Sequence, residues 1–297
     1  MDTYLQQLLN GVTLGSLYAL IAIGYTMVYG ILRLINFAHG DVFMWAGYWV
    51  FFLVALFHLP WWLGAVCAVV ITALMGVTIE RVAYRPLREA PRISLLITAI
   101  GVSFLLENLI IVLPWASGRQ KPYPTPNFMI QIYQAGSVRI QGVTIWVPLI
   151  AAACLLGLIF LVYRTKVGRA MRAIATDIET TALMGADINR VISYTFLVGS
   201  ALAAVGGILW GCRYPRLQWD LGIMPGWRAF TAAVIGGIGN IVGAMLGGFL
   251  LGLAEILVVA FLPGLSGFRD AFIFAILIFF LLFKPTGILG KPLKEKV

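Results

Sequence analysis

Charged residues are scarce in this sequence of 297 residues, of which only 11% are charged and 61% are hydrophobic. Soluble globular domains carry about 25% charged residues, so this shortage excludes a soluble globular protein. The hydrophobic residues form long runs, most of them close to the length that crosses a bilayer as a helix. We predict an all-α, polytopic membrane helix bundle, a single transmembrane domain over residues 1–297 with about eight to nine spans.

Residues that carry enzyme or metal chemistry are also scarce. The three cysteines (Cys67, Cys154 and Cys212) lie singly in apolar runs, without the spacing of a disulfide framework or a zinc site. The two histidines, His39 and His58, have no candidate catalytic partners near them in the sequence. The G-x-x-x-x-G-K-[ST] pattern of a phosphate-binding loop does not occur. We therefore expect a protein that is not an enzyme and that has no metal or cofactor of its own.

Basic residues outnumber acidic ones, and the net charge is +9. In a chain of membrane spans this excess indicates cytoplasmic loops rather than nucleic-acid binding, because basic residues concentrate on the cytoplasmic side. Three clusters can share that side: Arg81, Arg85, Arg88 and Arg92; Arg164, Lys166, Arg169, Arg172 and Arg190; and Lys284, Lys291, Lys294 and Lys296. Nine passes then place the N-terminus outside and the C-terminus in the cytoplasm. The parity changes if the short run Trp227–Ile241 re-enters the membrane instead of spanning it.

The long polar insertion on the predicted cytoplasmic side is a loop over residues 164–192. Its segment Thr176-Asp177-Ile178-Glu179 fits a capping box, with Thr176 as N-cap and Glu179 at the third helical position. Gly185 then stands where a left-handed residue would end a helix of about two turns.

The same loop carries an apolar pattern at helical spacing, formed by Met171, Ile174, Ile178 and Ala182. Asp187 can cap the helix that follows. These features predict a helical loop that contacts another protein. The alternative is an amphipathic connector that lies on its own protein or on lipid headgroups.

Two segments interrupt the apolar pattern at corresponding positions in the two halves of the chain, Asn36–Asp41 and Gly236–Asn240. Paired interrupted helices point to a transport pathway. Backbone leaves the helix inside a membrane only where protein or a water-filled cavity satisfies its polar groups. We predict two interrupted or re-entrant segments in pseudo-repeated halves, with Asn36, His39 and Asn240 beside the pathway. The alternative is a pair of plain turns at the membrane surface.

Two acids, Glu107 and Glu255, lie within apolar spans. A charge near the bilayer centre costs at least about 2.5 kcal/mol, so such residues usually face the protein interior and find a partner. We include Glu255 among the candidate pathway residues, although a hydrogen-bonded structural carboxyl fits equally well. Glu107 lies nearer the predicted outer surface, which favours the structural interpretation for that residue.

Five strings of the sequence are long and ordered enough to identify a family. They are Asn10–Gly30, Ile35–Gly40, Glu80–Pro86, Ala229–Gly239 and Pro285–Gly290. They resemble the permease subunit of the high-affinity branched-chain amino acid ABC importers, in its smaller, H-type form, and the resemblance covers nearly the whole chain. The strings are also similar to permeases for urea and short amides.

The resemblance implies a subunit of a bacterial inner-membrane importer. Its partners would be a paralogous permease, two ATP-binding subunits and a periplasmic substrate-binding protein. In similar permeases the loop that matches Gly168–Asn189 contains the coupling helix, which sits in a groove of the ATPase. The resemblance therefore assigns ATPase coupling to the capped part of the loop: Thr176, Asp177, Glu179 and Gly185.

The expected function is ATP-driven uptake of leucine, isoleucine or valine through a subunit without its own ATPase site. Uptake of urea or short amides is the alternative within the family. An ion-driven secondary transporter is the alternative outside it, because paired halves and buried acids suit that class too. The long capped loop argues against an ion-driven carrier, which does not need one.

Overall fold

A computed structural model of the chain describes residues 2–114, 116, 119–135 and 138–290. Its helices are α1 (Asp2–Leu32), α2 (His39–Phe51), α3 (Trp61–Ile79), α4 (Arg92–Val112), α5 (Asn127–Ile130), α6 (Gly142–Arg164), α7 (Lys166–Thr176), α8 (Ile178–Leu183), α9 (Ile188–Arg213), α10 (Ile223–Gly236), α11 (Ile241–Phe261) and α12 (Arg269–Phe283). Its strands are β1 (Lys121–Pro122), β2 (Ile132–Ala135), β3 (Val138–Gln141) and β4 (Arg216–Leu217). Turns of π-helix extend α2 over Phe52–Leu56 and α3 over Glu80–Tyr84, and 3₁₀ turns cover Arg85–Leu87 and Pro263–Phe268.

The prediction of a polytopic helical bundle is confirmed. Among the described residues, eight helices are long and apolar enough to cross a membrane: α1, α2 and α3 with their extensions, α4, α6, α9, α11 and α12. The predicted basic tail is only partly covered, because Lys291, Lys294 and Lys296 lie outside the described residues.

Helix α1 forms the centre of the bundle, and its side chains from Leu17 to Ile23 are fully buried. Helix α11 packs directly against it. A Cβ atom added at Gly248 would lie 2.4 Å from the backbone nitrogen of Ala19, and one at Gly252 would lie 2.3 Å from that of Gly15. Small residues at four-residue spacing allow membrane helices to approach this closely. This close contact fixes α1 and α11 against each other.

The two ends of the bundle carry different structures. At one end, here called the hairpin end, β2 and β3 form a hairpin and β1 pairs with β4. At the other, here called the loop end, α7 and α8 connect α6 to α9. Helix α1 begins at the hairpin end, where Asn10 accepts a hydrogen bond from Arg213. It finishes at the loop end, where Arg33 and Arg172 line one cavity.

Helices α2 and α10 begin inside the bundle instead of at either end. His39, the first residue of α2, packs against Gly24 of α1, about 12 Å before that helix ends. The start of α10 lies at the same level: a Cβ atom added at Gly222 would lie 2.3 Å from the carbonyl oxygen of Gly40 in α2. From there α2 runs to the hairpin end and α10 to the loop end, the relation expected of inverted repeats.

The predicted pair of interrupted segments is therefore present, but the second lies at residues 214–222, before α10. The predicted position, Gly236–Asn240, is wrong: it is a turn at the loop end, where Gly237 has φ 108° and Gly239 has φ 94°. A Cβ atom added at Gly30, near the end of α1, would lie 3.6 Å from the Cα atom of Gly239. Glycines mark a turn as strongly as they mark a broken helix, which is why the pattern misled.

Helix α10 has 14 residues, and its length of about 21 Å is shorter than a hydrocarbon core of about 30 Å. With residues 214–222 before it, the segment still joins the hairpin end, where α9 finishes, to the loop end, where α11 begins. Together with the eight long helices, α10 gives nine segments that run between the two ends in the described part of the chain, and nine membrane crossings stay a prediction. Residues 2 and 290 accordingly lie at opposite ends. Which end faces the cytoplasm stays a prediction.

Candidate functional site

The starts of α2 and α10 border a half-open cavity of about 300 Å³, here called the acidic cavity, and its wall residues Ile100, Phe104 and Trp227 are exposed. Residues of α1, α2, α4 and α10 form its walls, together with the segment that precedes α2. Aromatic rings line part of it: the ring centroids of Phe37 and Trp227 lie 5.3 Å apart, and those of Trp227 and Phe230 lie 6.3 Å apart. The cavity therefore lies at the level where the two inverted short helices meet.

The carboxyl groups of Asp41 and Glu107 and the hydroxyl group of Ser103 line the acidic cavity, and Tyr25 and Trp227 add a phenol and an indole. Asp41 is 2% exposed and Glu107 is 6% exposed. The Ser103 hydroxyl donates to Asp41 Oδ2 at 2.5 Å, and the carboxyl groups of Asp41 and Glu107 lie close to each other. The sequence analysis favoured a structural role for Glu107 and singled out neither Asp41 nor Ser103 as a site residue. The available signal was an acid in the first turn of an interrupted helix, and Asp41 is such a residue.

Two of the predicted pathway residues lie at the start of α2. Asn36 belongs to the interrupted segment before this helix, and His39 is its first residue. Asn36 Oδ1 accepts a hydrogen bond of 2.6 Å from the Tyr84 hydroxyl. His39 is buried, and its ring centroid lies 4.6 Å from that of Tyr25, a residue of the acidic cavity. Within the part of the chain that the structure describes, His39 Nε2 has no hydrogen-bond partner.

The third predicted pathway residue, Asn240, lies at the loop end. Its Oδ1 caps α11 by accepting a bond of 3.1 Å from the backbone nitrogen of Gly243, and its Nδ2 donates to the Leu289 carbonyl at 2.8 Å. Asn240 also lines a cavity of about 430 Å³ with Arg33 and Arg172. The structure thus separates Asn240 from the Asn36 and His39 pair.

The fourth predicted pathway residue, Glu255, belongs to a buried network that joins α1, α10, α11 and α12. Arg228 Nη1 donates to Glu255 Oε1 at 2.9 Å and to the Tyr18 hydroxyl at 3.0 Å. The Tyr18 hydroxyl donates to Glu255 Oε2 at 2.7 Å. Arg228 also donates to Asp270 from Nη2 and, at 2.9 Å, from Nε. Glu255 has the charged partner that a carboxylate needs in a buried environment.

A second buried network lies near the loop end and connects α3 with α9. The Glu80 carboxylate, fully buried, accepts from Arg88 Nη2 and, at 2.6 Å, from the Ser193 hydroxyl. Arg88 Nη1 donates to Asn189 at 2.7 Å. Burial lowers the pKa of the Arg88 guanidinium, and the neighbouring Glu80 carboxylate opposes that shift. The start of α9, directly after the loop, is therefore tied to the extension of α3.

The predicted capping box in the loop is wrong by one residue. Asp177 is the N-cap of α8, and its Oδ1 accepts from the backbone nitrogen of Thr180 at 3.2 Å. Thr176 ends α7, and its hydroxyl donates to the Arg172 carbonyl at 3.1 Å. Helix α7 has its own N-cap, Thr165, and continues to Thr176. Because Thr176 is still part of α7, the next residue with a suitable side-chain oxygen, Asp177, caps α8. Glu179 accordingly occupies the second helical position instead of the third.

The predicted apolar stripe is also wrong, because two helices replace one. Met171 and Ile174 of α7 are buried, whereas Ile178 and Ala182 of α8 are exposed. The chain changes direction at Asp177, where the backbone is extended. This turn takes the second half of the stripe away from the bundle.

The expected ends of the helices around the loop tip are present. Gly185 is left-handed, with φ +84°, and Asp187 caps α9 by accepting from the backbone nitrogen of Arg190 at 3.1 Å. Leu183 and Met184, just before Gly185, are 87% and 84% exposed. Two large apolar side chains thus stand at the tip of a capped loop, in the manner of a protein contact surface.

Comparison with known proteins gives matches over almost the whole chain. The family model for the permease component of branched-chain amino acid transport systems matches residues 7–281. The high-affinity branched-chain amino acid transport system permease protein BraD of Pseudomonas aeruginosa is 45% identical over 99% of this chain and 98% of that protein. LivH of Escherichia coli K12, a permease protein of the same description, is 44% identical over the same shares. A probable branched-chain amino acid transport permease protein of Methanocaldococcus jannaschii is 28% identical over 94% of this chain and 90% of its own length.

Proposed function

This chain belongs to the family of permease components of branched-chain amino acid transport systems, and we propose that it is the membrane permease subunit through which an ABC importer takes up leucine, isoleucine or valine. The match over residues 7–281, with relatives covered almost end to end, carries the proposal. The chain would carry out no covalent chemistry, because ATP would be hydrolysed by separate subunits. Its own role would be to open the pathway alternately to one end of the bundle and to the other.

The inverted pair α2 and α10 supports a pathway through the middle of the bundle. Short helices that begin inside a membrane protein form substrate sites at the interface of inverted repeats. Asn36 and His39 would border this pathway close to the acidic cavity, and Asn240 would border its loop-end exit. Glu255, held by Arg228 and Tyr18, would support the pathway by fixing α10 and α11 against α1.

The loop end would face the cytoplasm and receive the ATP-binding subunits. Two basic clusters, at residues 81–92 and 164–190, lie at this end, as the positive-inside rule requires of a cytoplasmic side. The exposed Leu183 and Met184 suit a groove in an ATP-binding subunit. Asp177 and Gly185 would hold α8 in shape, while Thr176 and Glu179 would lie at its base and on its exposed first turn.

The periplasmic binding protein would then dock at the hairpin end, and a paralogous permease would complete the membrane part. Substrate selection would reside mainly in the binding protein. The permease pathway need hold its substrate only weakly, since an importer must also release it.

Movement of the loop tip would reach the pathway through a continuous chain of contacts. Asp187 caps α9, and Asn189 and Ser193 of α9 hold Arg88 and Glu80. The π-helical turn that contains Glu80 also contains Tyr84, which donates to Asn36 in the interrupted segment. Such a contiguous network can carry coupling between two sites.

Reconstitution in liposomes tests the function. The chain alone should neither hydrolyse ATP nor concentrate amino acids. With its partner permease, ATP-binding subunits and binding protein, it should accumulate labelled leucine, isoleucine or valine when ATP is supplied on the loop-end side. Uptake should survive collapse of the ion gradients. Uptake driven by a proton or sodium gradient without ATP would replace this proposal with a secondary carrier, and ATP-driven uptake of urea alone would change the substrate.

The variant Gly185→Val tests the docking loop. No atom outside the neighbouring residues lies within 4 Å of a Cβ added there, so the substitution acts on the backbone at φ +84°. A β-branched residue disfavours that conformation by about 1–2 kcal/mol. We expect an inserted complex with uptake lost and ATPase stimulation reduced. Gly185→Asn, which tolerates the left-handed region, is the control and should retain most activity. Normal uptake by well-expressed Gly185→Val would refute the coupling assignment.

A further inference from the structure

The buried acids of the described spans differ in whether a basic side chain neutralises them. Glu80 is paired with Arg88, and Glu255 is paired with Arg228 at 2.9 Å. Asp41 and Glu107 form no ion pair with any described basic residue. The polar groups near them are Ser103, the phenols of Tyr25 and Tyr84, the more distant Asp220 and each other. Two carboxylates in contact cannot both stay charged in apolar surroundings unless a cation joins them.

The two acids also face open space, unlike Glu80 and Glu255, whose bonds to neighbouring side chains occupy their oxygens. The acidic cavity holds about 300 Å³, at the small end of the range for small-molecule sites. Tyr25, Phe37, Trp227 and Phe230 supply apolar and aromatic wall next to the carboxyl groups. A ligand that fits this lining combines one cationic group with a compact apolar body.

The helix ends at the cavity add a complementary feature. Gly222, the N-cap residue of α10, has no side chain to cap the helix, and it lines the cavity. The N-terminal end of a helix favours a negative group. A zwitterion could therefore place its ammonium group at the acids and its carboxylate near the start of α10.

We propose that the acidic cavity is a transient site for the transported amino acid, with the ammonium group held between the carboxylates of Asp41 and Glu107. Ser103 positions Asp41 through its hydroxyl hydrogen bond. The inference rests on the proposed function, since it names the part of the pathway that recognises an α-amino acid. Its central element, recognition of a cationic group by this carboxyl pair, is testable separately from uptake.

The first experiment measures charge selectivity inside the cavity. Ser103→Cys is introduced into the complete transporter after Cys67, Cys154 and Cys212 have been replaced. Labelling rates are measured with cationic 2-aminoethyl, anionic 2-sulfonatoethyl and neutral methyl methanethiosulfonate, each normalised to the exposed control Gln134→Cys. We expect the cationic reagent to react about tenfold faster than the anionic one, and Glu107→Gln to remove most of that preference.

The same cysteine reports which part of the substrate the cavity recognises. Leucine and leucinamide, which carry the ammonium group, should slow labelling, whereas 4-methylpentanoate, which lacks it, should not. Equal cationic and anionic rates would overturn the proposal. So would protection by 4-methylpentanoate, an absence of protection by leucine, or a failure of all three reagents to react, since the last would mean a cavity closed to water.

The second experiment measures uptake by the complete transporter in liposomes. Asp41→Asn and Glu107→Gln should each lower leucine uptake about tenfold while ATP hydrolysis stimulated by the loaded binding protein stays within about twofold. Glu89→Gln, at an exposed acid outside the spans, is the control and should match the wild type. Wild-type uptake in both acid variants would overturn the inference and leave the proposed function intact. Failure of the wild type to transport leucine would instead contradict the proposed function. The labelling experiment would still test whether the cavity recognises a cationic group.

Discussion

Two buried acidic sites in the bundle have opposite designs. At Glu255, one arginine and one tyrosine satisfy the carboxylate, and four helices converge on the same group. At Asp41 and Glu107, two carboxyls meet beside a cavity with a serine as the nearest donor. Both sites lie among apolar helices, so the difference is in the counter-charge and in the space beside it.

Under our proposal, this difference distinguishes a structural site at Glu255 from a pathway site at Asp41 and Glu107. A buried charge whose partners are all protein groups contributes by holding elements together, and removing one partner leaves the other uncompensated. A buried carboxyl pair without a basic partner repels itself and weakens the fold. A protein retains such a pair inside a membrane where function requires it, since intramembrane ionisable residues mark substrate and ion pathways.

The largest effect is expected from Arg228→Met. The substitution removes the shared partner of Glu255 and Asp270 and leaves Glu255 buried beside Tyr18 and the more distant Arg269. Breaking a buried pair costs about 3–5 kcal/mol, which corresponds to a fall in melting temperature on the order of 10 °C. Thermal unfolding of the purified complex measures it. Adding Glu255→Gln to Arg228→Met should recover part of the loss, and no recovery would mean that Arg228 acts through packing.

A smaller effect is expected from Glu80→Gln at the loop end. The amide keeps a hydrogen bond with Ser193 but loses the ionic bond with Arg88. Arg88 is only partly buried and keeps Asn189, so water and a neutral partner reduce the loss. Hydrogen bonds to charged groups contribute about 1.5–3 kcal/mol, and we expect a loss near the lower figure. Thermal unfolding of the complex again measures it, and a loss as large as that of Arg228→Met would remove the distinction between the two networks.

Sequence reasoning could predict the features that local chemistry decides. The bundle follows from hydrophobic run lengths, the left-handed Gly185 follows from its place after a short helix, and the cap at Asp187 follows from its position before an apolar run. Each depends on residues close together in the chain. The capping box failed by one residue because Thr176 and Asp177 are both good caps, and the length of α7 decides between them.

Pairing between distant residues could not be predicted in this way. Glu107 looked structural and Glu255 looked like a pathway residue when each was judged by its own position. The structure gives Glu255 a partner 27 residues away in Arg228, and brings Ser103 to Asp41 across 62 residues. Helix packing, which no local pattern encodes, decides which buried acid is neutralised. The second interruption was misplaced for a related reason, because only the contact of Gly222 with Gly40 reveals its depth.

A still smaller loss is expected from Tyr18→Phe. The change removes one hydroxyl that donates to Glu255 and accepts from Arg228, while the ion pair between those two residues remains. A single net hydrogen bond contributes about 1 kcal/mol. We expect a melting temperature lowered by about 2–4 °C, measured as for Arg228→Met. Tyr194→Phe, at an exposed tyrosine of α9, is the matched control and should show no change.

The smallest loss is expected from the double variant Asp41→Asn with Glu107→Gln, which tests the comparison most sharply. If the two carboxyls are a functional pair, replacing them with amides of the same shape removes like-charge repulsion and keeps an acceptor for Ser103. The melting temperature of the complex without substrate should then stay within about 2 °C of the wild type or rise. Stabilisation of the complex by leucine should disappear in the double variant, because the ammonium group has lost its partners. A loss of several kcal/mol in the substrate-free complex, comparable to that expected for Arg228→Met, would mean that the pair is structural, and the contrast between the two sites would fail.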